Sequence, residues 1–147
     1  MKITSPALNN NEYIPAQYTC KGDDINPPLR ISNVPDNAIS LVIIVDDPDS
    51  PNGTWTHWLV WNIDPTTQVL EEDTIPLGAT EGTTDFGETG YSGPCPPVGV
   101  HRYFFRIFAL DTKINLTSEA NREELEKAID KHIVDEAELM GLFKAQR

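Results

Sequence analysis

Up to Leu110 the apolar positions of this chain fall in short runs broken by turn residues; after it they follow a wider, helical spacing. "ISLVIIVDD", Ile39–Asp47, is apolar at consecutive positions and rich in β-branched side chains. That pattern predicts a strand covered on both faces in the middle of a packed sheet. "HWLVWNI", His57–Ile63, predicts a second strand, and a period of two places His57, Leu59, Trp61 and Ile63 on one face. In "HRYFFRIFAL", His101–Leu110, a third strand is predicted in which His101, Tyr103, Phe105 and Ile107 alternate with Arg102, Phe104, Arg106 and Phe108. "LRIS", Leu29–Ser32, is a shorter candidate, and weaker ones lie at the N-terminus and around Thr80–Asp85. All twelve prolines and all but one of the nine glycines precede His101, which is the punctuation of strands and loops. "NREELEKAIDKH", Asn121–His132, reads as helix: Asn121 caps it, Glu124 caps back, and Leu125, Ala128, Ile129 and His132 share a face. Periodicity alone carries that helix on through "IVDEAELMGLF" to Met140. Several short strands followed by one helix predict a mainly β sandwich with a late helical decoration.

The chain has 147 residues, which predicts a single domain over 1–147 with roughly 70% of its unfolded surface buried. No apolar run approaches the roughly 20 residues that span a bilayer, and "MKITSPALNN" lacks the apolar stretch of a secretory signal. Membrane insertion is therefore not expected, and a cytoplasmic location is. Eleven basic against twenty-three acidic residues leave a net charge of −12. Nucleic acid is excluded as a main partner, because the phosphate contribution would be repulsive. A bound anion must be held by local groups against the global field. Cys20 and Cys95 are far apart and match no zinc spacing. Two buried thiols are the first expectation, with a disulfide or a reactive thiol as alternatives; a reducing compartment disfavours the disulfide.

Three segments carry candidate chemistry. "DDPDSP" puts Asp46, Asp47 and Asp49 at the end of the strongest strand. It reads either as a solvated turn or as a carboxylate cluster opening into a pocket. "WTHWLVW" holds all three tryptophans, Trp55, Trp58 and Trp61, around His57. Its histidine is either a core residue bonded to a backbone carbonyl or an imidazole at the rim of an aromatic cavity. "GYSGPCPPVGVHRY", Gly90–Tyr103, places three glycines and three prolines ahead of His101. Glycines let backbone N–H groups approach a ligand, prolines fix the path, and an X-Pro bond here is a candidate for cis geometry. Together the three segments put two histidines and a carboxylate at three strand ends, and strand ends of one sandwich can converge.

The combination resembles the phosphatidylethanolamine-binding protein family, which includes the Raf kinase inhibitor proteins, and most of all its small bacterial and archaeal branch. The matching stretches are "DPDSP" (Asp47–Pro51), "HW" (His57, Trp58) and "GPCPPVGVHRY" (Gly93–Tyr103), with "YTCKGDDINPPL" (Tyr18–Leu29) and "HIVDEAELMG" (His132–Gly141) beside them. The resemblance covers nearly the whole chain in the same order. It implies a two-sheet antiparallel sandwich with a short helix near the C-terminus and a small anion-accepting pocket. Asp47, His57, His101 and Tyr103 would serve that pocket, and the Gly93–Pro97 loop, with Gly93, Pro94 and Cys95, would form one wall. Asp49, Trp58 and Arg102 would support it, Asp49 as a brace. The resemblance also turns Ile133–Phe143 from helix into strand. One departure stands out: small relatives often end "GTY", whereas this chain has "GLF" (Gly141–Phe143), so Phe143 brings no hydroxyl.

The expected function is therefore a non-enzymatic binding protein for a small phosphorylated or otherwise anionic molecule, with no catalytic residue, cofactor or metal. Asp47 would either stay protonated and donate to the anion, or hold the ammonium of an ethanolamine-like group. The alternative is a protein inhibitor of a protease or kinase, and a hydrolase is the remote third reading. Self-association as a homodimer is left open.

Overall fold

In the computed structural model, which describes residues 1–146, the chain runs through β1 (Lys2–Thr4), β2 (Glu12–Tyr13), a 3₁₀ turn at Ala16–Tyr18, β3 (Leu29–Ser32), β4 (Ser40–Asp47), β5 (Trp55–Ile63), β6 (Val69–Leu70), β7 (Thr80–Glu81), β8 (Val100–Leu110), α1 (Arg122–Ile129) and β9 (Ile133–Lys144). The strands form a six-stranded sheet in the order β2-β9-β8-β4-β5-β7 and a three-stranded sheet in the order β1-β3-β6. All pairs are antiparallel except β2 with β9, which is parallel. The predicted mainly β, two-sheet sandwich with a late helix is what the chain adopts.

Every residue of β4 is buried, because this central strand is covered on both sides. Leu41, Ile43 and Val45 face the small sheet, where Ile3, Leu29, Ile31 and Leu70 complete the core. Val42 and Ile44 face the other way, onto Leu125 and Ile129 of α1. An unbroken apolar run is thus the signature of a strand sandwiched between a second sheet and a helix. Strand β8 alternates instead: His101, Tyr103, Phe105 and Ile107 are buried, and the intervening Arg102 is exposed.

Two local readings give way to tertiary structure. The helix ends at Ile129, and Lys131 takes a left-handed φ of 67°. From there β9 pairs along the whole of β8, from Leu110↔Ile133 to Val100↔Lys144. The helical spacing through Met140 loses to that long ladder, since pairing and burial outweigh a short segment's periodicity. The reciprocal cap at Asn121 and Glu124 is present as the sequence predicts.

Strand β5 breaks the period of two at both ends. The pairs Val45↔Trp58 and Asp46↔Thr56 leave His57 as an extra residue, a β-bulge. A second irregularity lies where Ile63 pairs with Leu41 and Val60 with Ile43, at Asn62 with φ 57°. Leu59 and Trp61 therefore face α1, while Trp58, Val60 and Ile63 face the small sheet. The single face predicted for His57, Leu59, Trp61 and Ile63 does not exist.

The cysteines are corrected as well. Cys20 and Cys95 are joined in a disulfide across a sequence separation of 75, with Cα atoms 5.5 Å apart. The reason is local: Cys20 N–H donates to Pro94 O at 3.1 Å, which lays the two loops side by side. Nor is any peptide bond among the described residues cis, so the prolines of the Gly90–Tyr103 stretch set its path in trans. No helix among the described residues is long and apolar enough to cross a membrane.

Candidate functional site

In the order β8-β4-β5 the central strand ends where its two antiparallel neighbours begin. Asp47 at the end of β4, His57 near the start of β5 and His101 near the start of β8 are therefore brought to one edge. They meet in a cavity of about 310 Å³. Tyr103 and Cys95 also line it, with Pro96 and Pro97 from the same loop. Ser50 and Pro51 from the β4–β5 turn, Trp55 and Phe86 complete the lining.

The bulge at His57 is what turns its ring inward. The ring sits edge-on to Tyr103, with centroids 5.3 Å apart, and edge-on to Phe86 at 5.1 Å. Neighbouring Thr56 is pinned on the opposite side, its N–H donating to Asp85 Oδ2 at 2.7 Å and its Oγ1 accepting from Arg122 Nη1 at 3.3 Å. His57 itself is clamped to Ser92: Nδ1 lies 2.6 Å from Ser92 O, and Ser92 N–H donates to His57 O at 3.1 Å. A carbonyl only accepts, so Nδ1 carries the proton and Nε2 is the free nitrogen. Burial lowers the His57 pKa below the usual histidine value, against the opposing pull of the Ser92 carbonyl and the Asp47 charge.

His101 is held in the same fashion, with Nδ1 2.6 Å from Asp47 Oδ2 and both side chains buried. The other Asp47 oxygen accepts the N–H of Asp49 at 2.8 Å. Both Asp47 oxygens are thus engaged, one by the Asp49 N–H and the other by the His101 ring. Tyr103, 6.4 Å from the His101 ring between centroids, keeps a buried hydroxyl with no hydrogen-bond partner among the described residues. Burial first, and the Asp47 charge after it, push that phenol's pKa up, so the hydroxyl stays protonated.

The three aspartates of "DDPDSP" do not form a cluster. Alternation sends Asp46 to the α1 side, where Arg106 Nε (2.9 Å) and Arg122 Nη1 (2.8 Å) both meet its Oδ2. Asp47 goes to His101. Asp49 receives a bidentate Arg102, Nε to Oδ2 at 2.9 Å and Nη2 to Oδ1 at 2.8 Å, plus the Arg102 backbone N–H at 2.9 Å. Those guanidinium hydrogen bonds hold the Asp49 carboxyl down at about 2. Each carboxylate has its own partner side chain, and the turn between β4 and β5 is braced to β8 through Asp49 and Arg102.

Of the other candidates, Gly93 and Pro94 stand behind the wall rather than in it. The Gly93 N–H donates to Asp24 Oδ1 at 2.7 Å and is not free for a ligand, and Pro94 O is taken by Cys20. Trp58 points into the core and donates its indole N–H to Glu81 Oε2 at 2.7 Å. Phe143 packs in the same core. Sequence reasoning missed Trp55 and Phe86, whose rings stand perpendicular at 5.7 Å. The signal for Phe86 was a lone large apolar residue in the polar stretch "TTDFGETG". A larger groove of about 740 Å³ runs beside α1 past Arg122, Glu123, Glu126 and Lys127. Its cations are already paired, Arg122 with Asp46 and Glu126, and Lys127 with Glu123.

A sequence profile of the family described as phosphatidylethanolamine-binding protein matches residues 4–144. A UPF0098 protein of Pyrococcus horikoshii is 52% identical over 152 residues, covering 98% of this chain and 76% of its own. Another, from Methanothermobacter thermautotrophicus, is 46% identical over 149 residues, covering 98% and 99%. Among solved structures, a Chlamydia trachomatis protein described as a phosphatidylethanolamine-binding protein homolog superposes with a TM-score of 0.94 at 41% identity, covering 99% of this chain and 97% of that one. Escherichia coli YbcL, described as a new member of the mammalian PEBP family, gives a TM-score of 0.93 at 30% identity, covering 99% and 98%.

Proposed function

The chain belongs to the phosphatidylethanolamine-binding protein family, and we propose that its cavity binds a small phosphoryl or comparable anion, with His57 and His101 as the pair that faces it. One observation carries this reading. Both imidazoles line one cavity with Nδ1 committed to a protein oxygen, which leaves both Nε2 atoms for a ligand. In the neutral rings Nε2 accepts; on protonation it becomes a charged donor, and charge-assisted bonds to an anion are the strong ones. The family's name supports a phosphoryl-bearing ligand, and the net charge of −12 means that this local pair works against the field of the whole chain. Asp47 supports the same function at one remove, by orienting His101.

The pH dependence follows from the direction of the His57 shift. Its folded pKa is depressed below about 6.5 by burial. The free protein therefore loses stability as pH falls below the unfolded value, while affinity for an anion rises over the same interval. Calorimetric titration at pH 7.5 and at pH 5.5 is expected to give tighter binding at the lower pH. Phosphorylethanolamine should be run beside sulfate, whose charge is constant over that range. Equal sulfate affinity at both ends would remove His57 protonation from the account.

A further inference from the structure

The cavity wall is fastened unevenly. On its N-terminal side Tyr91 Oη donates to Tyr18 O at 2.7 Å, the Gly93 N–H donates to Asp24 Oδ1 at 2.7 Å, and Cys20 N–H donates to Pro94 O at 3.1 Å. Gly93 is buried there so tightly that a Cβ would collide with the Tyr18 backbone and the Asp24 carboxylate. The next fastening on the far side is Gly99 O, which accepts from Ala145 N–H at 2.8 Å. Between them, among the described residues, Pro96–Val98 make no hydrogen bond, and Pro96 and Pro97 have no N–H to give. Yet Pro96 and Pro97 line the cavity. The last link before this run is the Cys20–Cys95 disulfide. Cys95 is exposed and itself lines the cavity, and Cys20 is half-buried.

We propose that this disulfide is a redox-sensitive fastener of the cavity wall: oxidised, it holds Pro96 and Pro97 in place, and reduced, it releases them. A dithiol reductant approaches at Cys95, the more exposed of the two cysteines. Its thiolate forms a bond to Cys95 Sγ, the Cys20–Cys95 bond breaks, and Cys20 leaves as a thiolate that takes up a proton. The reductant's second thiolate then attacks its own sulfur in the mixed disulfide, so Cys95 leaves and is protonated in turn. Two electrons and two protons pass to the protein, and the reductant departs as an internal disulfide. A disulfide donor runs the exchange backwards. Releasing the wall raises the ordering cost of closing it around a ligand. The ligand readout rests on the anion-binding reading; the motion of the loop does not.

The test compares oxidised protein with protein reduced by dithiothreitol, and with Cys95→Ser and Cys20→Ser, the second of which leaves the cavity-lining position intact. Backbone 15N order parameters at Cys95 and Val98 report the wall, and phosphorylethanolamine titration reports the cavity. Reduction is expected to lower those order parameters from about 0.85 to below about 0.6 while Gly93, held by Asp24, stays rigid. Affinity should fall by about threefold to tenfold. Both variants should match the reduced protein and ignore dithiothreitol. Unchanged order parameters on reduction would overturn the proposal, and so would global loss of far-UV circular dichroism, which makes the bond purely structural. Absence of binding in either redox state would remove the anion reading, while the order parameters still decide this one.

Discussion

Replacing His57 and His101 together by alanine is expected to abolish measurable binding of phosphorylethanolamine at mildly acid pH. Each imidazolium supplies one charge-assisted hydrogen bond, worth about 1.5–3 kcal/mol. Loss of one is therefore expected to weaken binding roughly 10- to 150-fold, and loss of both to exceed 100-fold. Calorimetric titration of the two single variants and the double variant measures this, with circular dichroism to establish that each is folded. His132→Ala is the control. That histidine is exposed, and its Nδ1 pairs with Asp111 Oδ1 at 2.8 Å, outside the cavity lining. Binding that survives in the double variant would place the anion elsewhere.

Asp46→Ala is expected to be the most damaging change among the three aspartates of "DDPDSP". Asp46 is 1% exposed, and a single oxygen receives both Arg106 of β8 and Arg122 of α1. Removing it leaves two guanidinium groups without that anion, and breaking a buried pair costs about 3–5 kcal/mol. Both arginine side chains keep about a quarter of their surface in solvent, so the lower end, about 3 kcal/mol, is expected. For a chain of this size that is a fall in melting temperature of roughly 6–12 °C. Asp49→Ala, three residues on, breaks a pair with Arg102 that is about half in solvent and the hydrogen bond from the Arg102 backbone N–H, and should cost about 1 kcal/mol. Thermal unfolding of the two variants side by side checks the contrast. Equal losses would mean that Asp46 does not tie helix to sheet as the geometry indicates.

Much of this architecture is legible in the pattern of residues. An uninterrupted apolar run identifies β4, because a strand covered on both faces has no polar side to show. Alternation identifies β8, and the capping residues identify the start of α1. The convergence of Asp47, His57 and His101 follows from placing each at a strand end. What the pattern hides is the bulge at His57. A single extra residue changes which face every later side chain takes, and no local signal in "WTHWLVW" marks it. The same limit explains β9: its helical spacing is real, but the partner strand that overrides it lies far earlier in the chain. The disulfide escaped for a related reason, since only the folded contact of two loops brings Cys20 and Cys95 within bonding reach. The carboxylates of "DDPDSP" read either as a turn or as one cluster, because proximity in sequence does not give proximity in space: alternation separates Asp46 from Asp47 across the sheet.

The imidazole nitrogens themselves report most directly on whether this cavity takes a phosphoryl anion. With 15N-labelled histidine at mildly acid pH, titration with phosphorylethanolamine is expected to move the Nε2 resonances of His57 and His101 toward the protonated, hydrogen-bonded position along one saturable curve. The Nδ1 resonance of His57 should stay that of a donor to Ser92, and His132 should not respond. Nε2 signals of His57 and His101 that remain unchanged at saturating phosphorylethanolamine would contradict the assignment of this cavity as the anion site.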